Sequence, residues 1–324
     1  MHQYLQYFLL LSGLFLGWSL GTNDAGSVFG AAVSTRVIRY KTAVILISVF
    51  VIVGACTSGY RNITKVSGFA NANGVNAGIK AFLVLLAAGL TVTAMSYLKI
   101  PISANQCIVG SIFGWGISCR SVDMMKTGEF LLAWVVSPVI AAAFCFLLTY
   151  VVTHLFERQL HKLFVYDAVI KIGYLAAGIF ASYTMGANNV ANVTGLFVGP
   201  NNLLPSSLAA AAIGSGAIAL GVLTYSKKVM TAIGSSVTRL TDLSGLMVVL
   251  SSAAAIFTCN HFFGLPVPTA NATVGAMVGA GLVKGAKNVN FKVFKNILTA
   301  WVVSPTAAGL LTFLMGITYK AIEK

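Results

Sequence analysis

The sequence predicts an all-α integral membrane protein made of two inverted repeats of about five membrane segments each. It also predicts broken helices and, in two places, segments that either span or fold back as re-entrant hairpins. Three observations lead there. Of the 324 residues, 57% are hydrophobic and 9% are charged, and the mean hydropathy is +0.87, outside the range of ordinary soluble domains. Ten apolar runs each approach the roughly 20 residues that cross a bilayer. Three stretches also recur in order: GTNDAGSVFG at Gly21 returns as GANNVANVTG at Gly186 (186 − 21 = 165), PISANQCIVGSIFGWG at Pro101 as PVPTANATVGAMVGAG at Pro266 (266 − 101 = 165), and AWVVSP at Ala133 as AWVVSP at Ala300 (300 − 133 = 167).

In chain order the runs are Tyr4 to Val37, Thr42 to Ser58, Lys80 to Leu98, Pro101 to Cys119 and Phe130 to Val152, then Ala168 to Val198, Leu203 to Tyr225, Ser244 to Phe263, Pro266 to Val283 and Ile297 to Tyr319. The first of each five is interrupted by Gly and Asn, with Asp24 added in the first half, so its backbone is expected to break where protein or a water-filled cavity can satisfy the freed groups. Residues 1–152 form the first repeat, 153–167 a connecting loop and 168–324 the second repeat. An odd number of crossings per unit turns the second copy upside down. If the segments at Pro101 and Pro266 are hairpins and one broken segment per half also does not cross, each half loses two crossings and keeps an odd number. The longest polar connections, Gly59 to Ile79 and Thr153 to Asp167, leave no room for a soluble domain.

The net charge of +14 comes from 21 basic and 7 acidic residues. The cations are spread over loops, without a basic stripe or aromatic interleaving, which excludes nucleic acid as the partner. With every segment crossing once, 14 of the 21 lie on one side, among them Arg36, Arg39, Lys41, Lys227 and Lys228. The positive-inside rule makes that side cytoplasmic and both termini extracytoplasmic. The five cysteines lack paired spacing and read as small core residues. The four histidines are scattered and have no metal-ligand spacing. Without clustered acids, or a nucleophile beside a base, an integral-membrane enzyme is the remote alternative.

Asp24 is the one carboxylate that apolar runs enclose on both sides. A charge at membrane depth is costly unless it is paired, which makes Asp24 a site for a cation or a proton. Asn23, Asn188, Asn189 and Asn192 add amide oxygens of the kind that suit a hard cation such as Na⁺. A second constellation opens the segments at Pro101 and Pro266. Pro followed by Ser or Thr reads as a helix N-terminus, whose free N–H groups and positive dipole end attract anions. Ser103, Asn105, Gln106, Thr269 and Asn271 would complete an oxyanion shell. Trp134 and Trp301 read as packing or interface anchors.

In these phrases the chain resembles the PiT (Pho4) family of inorganic phosphate transporters. That family carries GANDVANA once in each half and a Pro-Ser-Thr-Thr-His-like phrase further along. Here these look like Gly21 to Ser27, Gly186 to Val193, Pro101 to Gln106 and Pro266 to Asn271. The resemblance implies a homodimeric symporter in the cytoplasmic membrane, driving phosphate with Na⁺ or H⁺ by alternating access and holding no cofactor. It implies coupling ions at the Asn-Asp phrases, with Na⁺ at Asp24 and Asn189, and an anion shell extended to Asn23 and Asn188. The chain departs from the pattern in that Asn189 stands where the family has a second Asp, Ala25-Gly26-Ser27 replaces Val-Ala-Asn, and Asn105-Gln106 and Ala270-Asn271 replace the Thr-His part. Sulfate is therefore the alternative substrate. Phosphate keeps a proton near neutral pH and gains from an acceptor such as Asp24, whereas sulfate needs donors only.

Overall fold

A computed structural model of the chain describes residues 2–75, 78–97, 102–156, 163–198, 203–204, 206–236, 241–264, 266–283 and 291–323. Pro101 lies outside them, as do Lys99, Arg158, Lys162, Arg239, Lys284, Lys287 and Lys324 of the charge count. The fold is all-helical, with eleven α-helices among the described residues: α1 (His2–Ser34), α2 (Tyr40–Ser58), α3 (Tyr60–Ala72), α4 (Ile79–Tyr97), α5 (Ala104–Cys119), α6 (Met124–Phe156), α7 (Leu163–Thr194), α8 (Ser207–Ser236), α9 (Asp242–Phe263), α10 (Thr269–Val283) and α11 (Phe291–Glu323). Every apolar run becomes a helix. Among the described residues six helices (α2, α6, α7, α8, α9 and α11) are long and apolar enough to cross a membrane. By contrast α5, with 16 residues, and α10, with 15, rise only about 24 and 22 Å at 1.5 Å per residue, short of the ~30 Å hydrocarbon core.

The expected break at Gly21–Gly30 is absent, because α1 runs unbroken over 33 residues. Over 32 residues α7 is likewise continuous, and it gives way to a 3-10 turn, Gly195–Phe197, only at the end of its polar phrase. A helical glycine costs only about 1 kcal/mol relative to alanine, and here the missing side chains permit close packing. A Cβ on Gly21 would come within 3.0 Å of the backbone of Ile218, and one on Gly186 would do the same at Val51. The chain breaks instead just before α5 and α10, where residues 102–103 and 266–268 are non-helical. A second correction concerns the connection Gly59 to Ile79, which holds α3. Asn62, Ile63, Val66, Phe69 and Ala70 of that helix are buried, at the spacing of one amphipathic face.

Packing exchanges partners between the two halves. The most extensive helix contacts are α1 with α8, α5 with α11, α10 with α6 and α2 with α7. The closest approaches recur at the repeat offset. Gly110 lies against the backbone of Pro305 and Gly275 against that of Pro138, while Gly54 meets Tyr183 and Gly221 meets Trp18. A Cβ at any of these four glycines would lie under 3.0 Å from backbone atoms, so each contact requires glycine. In this arrangement α1 and α7 touch each other, and the non-helical starts of α5 and α10 meet them part-way along their length.

Candidate functional site

Asp24 lies well inside the second half of α1 and is 5% exposed. Its carboxylate accepts three hydrogen bonds. Asn189 Nδ2 donates to Oδ2 at 2.7 Å, Thr269 Oγ1 to Oδ2 at 3.1 Å and Asn23 Nδ2 to Oδ1 at 3.3 Å. These donors come from α7, from the first residue of α10 and from α1 itself, so the carboxylate joins three elements. All three donors are neutral. Among the described residues the ion pairs are Lys65–Glu129 and Lys126–Asp123, each at 3.8 Å, and Asp24 is in neither. A buried anion held only by neutral dipoles is incompletely compensated and attracts a cation.

Around this centre the predicted residues form one network. Asn188 clamps the peptide of Val267, donating from Nδ2 to its carbonyl at 2.9 Å and accepting from its N–H at 2.8 Å, and it also donates to Asn189 Oδ1 at 2.8 Å. Asn105 donates to the same Val267 carbonyl and accepts from Asn192. Asn23 reaches the Ile102 carbonyl at 3.5 Å. The structure thus connects Asn23, Asp24, Asn105, Asn188, Asn189, Asn192 and Thr269. The two helix starts are held against α1 and α7 by side-chain amides acting on backbone groups.

The remaining predicted residues, Ser103, Gln106 and Asn271, sit on the same two helix starts at 1%, 1% and 0% exposure. Their Ser103 Oγ, Gln106 Oε1 and both Asn271 amide atoms have no hydrogen-bond partner. Each such orphaned polar group costs about 1–3 kcal/mol. Ser103 occupies the N-cap position of α5 yet makes no capping bond, and Thr269 spends its hydroxyl on Asp24. Neither is an ordinary helix cap. The arrangement offers a carboxylate with amide and hydroxyl oxygens for a hard cation, beside uncommitted donors at two helix N-termini for an oxyanion. The model for a family described as the phosphate transporter family matches residues 20–312, which contain all ten of these side chains. The chain belongs to the phosphate transporter family.

Two similar proteins and one solved structure illustrate the likeness. A protein of Methanocaldococcus jannaschii, named provisionally as a phosphate permease, is 29% identical over 308 residues, covering 94% of this chain and 95% of its own. The sulfate permease CysP of Bacillus subtilis is also 29% identical, over 313 residues, covering 94% and 86%. A structure described as the sodium-dependent phosphate transporter superposes with a TM-score of 0.83 over 98% of this chain and 100% of that one, at 22% identity, and shares the fold.

Two features of the site escaped the sequence reading. Val267 binds through its backbone, for which its own side chain gives no sign. Its flanking prolines were the available signal, since Pro266 and Pro268 cannot donate and hold the segment out of a helix, leaving the Val267 N–H free for Asn188. The second is Asn62 on α3, whose Nδ2 donates to the Ala187 carbonyl of the α7 phrase at 3.0 Å.

Proposed function

We propose that the chain is a symporter of inorganic phosphate in the cytoplasmic membrane, driven by Na⁺ or H⁺ and working by alternating access around the Asp24 network. The cation is held by Asp24 with Asn23, Asn188, Asn189 and Asn192, and the anion by Ser103, Asn105, Gln106, Thr269 and Asn271 with Asn23 and Asn188 at its edge. The observation that carries this reading is the juxtaposition of an unpaired buried carboxylate with unpartnered amide and hydroxyl groups at two helix starts. Cations bound beside the oxyanion offset its charge and that of the carboxylate, so the loaded site crosses between its two open states at lower cost than a site holding the anion alone. Na⁺ is supported by the sodium dependence in the name of the structural neighbour.

The reading includes two inverted halves, residues 1–152 and 168–324 joined by 153–167, with both termini extracytoplasmic and a homodimer as the family resemblance implies. The partner-exchanged packing at offsets of 165 and 167 supports the repeat. No step in this cycle makes or breaks a covalent bond. Sulfate is the second reading, favoured by the similarity to CysP and by a carboxylate already engaged by three donors. Proteoliposomes holding the purified chain decide between them. Radiolabelled phosphate should accumulate under an inward Na⁺ or H⁺ gradient and labelled sulfate should not compete. Accumulation of sulfate in preference to phosphate would replace the first reading with the second, and uptake of neither would remove both.

A further inference from the structure

Outside the central network, the ion pairs among the described residues lie at one end of the molecule. At one end Lys65 and Lys126 are ion-paired to Glu129 and Asp123. At the other, Arg36 and Arg39 on the α1–α2 connection, Lys41 in the first turn of α2, and Lys227 and Lys228 on α8 are exposed, and none of them is in an ion pair among the described residues. Tyr40 joins the two groups, with its hydroxyl 3.2 Å from Ser226 Oγ and its ring 5.9 Å from Lys227 Nζ. Lys228 Nζ lies 5.6 Å from the centre of the Tyr225 ring. These two lysines are therefore held by aromatic faces, which leave an ammonium its full charge and its three N–H donors.

Arg36 adds a backbone observation. It ends α1 in the left-handed region, at φ 63, where glycine would be free of strain. An arginine there places a permanent cation at the negative end of the α1 dipole. On α8, Leu220, Leu223 and Tyr225, immediately before the lysine pair, are 58%, 52% and 48% exposed. An apolar stretch, an aromatic ring and then adjacent cations follow the order of acyl chain, interface and headgroup in one leaflet.

We infer that this end is a binding surface for an anionic phospholipid. The phosphate diester sits among Arg36, Arg39, Lys227 and Lys228, and the acyl chains lie along Leu220, Leu223 and Tyr225 of α8. Charge complementarity selects this occupant, because a zwitterionic headgroup brings its own cation to a surface that already has five. The inference is independent of which anion the central site carries.

The test uses the purified full chain in detergent, titrated with dioleoyl phosphatidylglycerol, with dioleoyl phosphatidylcholine and with inorganic phosphate, with adducts counted by native mass spectrometry. Phosphatidylglycerol should bind and phosphatidylcholine should not. Lys227→Ala/Lys228→Ala should weaken phosphatidylglycerol binding about thirtyfold, the attraction of two surface cations for an anionic headgroup, while Lys227→Arg/Lys228→Arg retains it. If the alanine pair does not fold, Arg36→Ala/Arg39→Ala reads the same loss against the arginine pair. Equal binding of both lipids, or unchanged binding in the charge-removing variants, overturns the inference. Displacement of phosphatidylglycerol by millimolar inorganic phosphate also overturns it, because the surface would then be a free-oxyanion site.

Discussion

The polar stretches of α1 and α7 occupy equivalent places in the two halves and do opposite electrostatic work. Position 24 is an aspartate that accepts, and position 189, its counterpart 165 residues on, is an asparagine that donates to it at 2.7 Å. A pair of carboxylates at this separation would repel by roughly 4 kcal/mol or more at the effective dielectric of a protein interior, and would coexist only around a cation or with one of them protonated. Replacing one by an amide turns that repulsion into a hydrogen bond. The two halves thus share a scaffold but have divided its roles. The first half holds the charge, and the second supplies dipoles to it through Asn189 and Thr269.

The largest expected effect breaks this comparison by making both positions neutral. Asp24→Asn should bring gradient-driven uptake in proteoliposomes down to that of empty liposomes, while the variant still inserts and elutes from size exclusion as the parent does. Parental uptake would show that the charge at 24 does not couple transport. Asn189→Asp breaks it the other way by restoring a second carboxylate. Without Na⁺ this variant should unfold at lower temperature than the parent, because two buried anions then face each other. Added Na⁺ should return most of the loss, and uptake should rise more steeply with Na⁺ concentration. An unchanged melting temperature and Na⁺ profile would place residue 189 outside the ion site.

The two helix starts extend the comparison at a smaller scale. Ser103 is uncommitted, whereas Thr269 is bound to the carboxylate. Ser103→Ala should therefore weaken the anion alone, by about tenfold or more if the hydroxyl donates a charge-assisted bond to it. Thr269→Ala should weaken both anion and cation, and the double variant should lose less than the product of the single effects, because the two residues act on one loaded site. Isothermal titration with the anion at fixed Na⁺, and with Na⁺ at fixed anion, separates these cases. Two independent anion-binding events, each sensitive to one substitution, would show that the halves bind separately.

Much of this was legible in the residues. The length and hydropathy of the apolar runs located all ten apolar helices, and the repeat picked out two phrases per half whose side chains meet in the fold. What stayed hidden depends on contacts between segments. Gly21 and Gly186 read as helix breakers because the sequence does not show the backbones of Ile218 and Val51 that they pack against. The clamp of Asn188 on Val267 joins residues 79 positions apart through backbone atoms, which leave no pattern of residue types. The helix α3 was missed for a different reason. Its polar residues are as numerous as its apolar ones, and only the spacing of the apolar ones, with Ile63, Val66 and Ala70 on one face, marks it.

That helix is also where the halves differ most in architecture, and it supports the smallest prediction. Between α2 and α4 the first half sets α3 off as a separate helix, whereas at the repeat offset residues 225–236 simply continue α8, which runs unbroken from Ser207 to Ser236. The separate helix α3 braces the other half's phrase. Asn62 donates to the Ala187 carbonyl at 3.0 Å, and Ser67 donates to the Val198 carbonyl at 3.1 Å. The neutral helix thus receives an external support beside Asn188 and Asn189. Asn62→Ala removes one neutral hydrogen bond and, with it, an Oδ1 that has no partner, so the net loss should be about 1 kcal/mol. Amide exchange in α7 around residues 187–192 should accelerate about fivefold, the equivalent of that energy, with α1 around residues 22–27 unchanged and the anion affinity lowered by no more than a similar factor. Equal acceleration in both helices would mean that α3 steadies the molecule as a whole and that the brace does not distinguish the two halves.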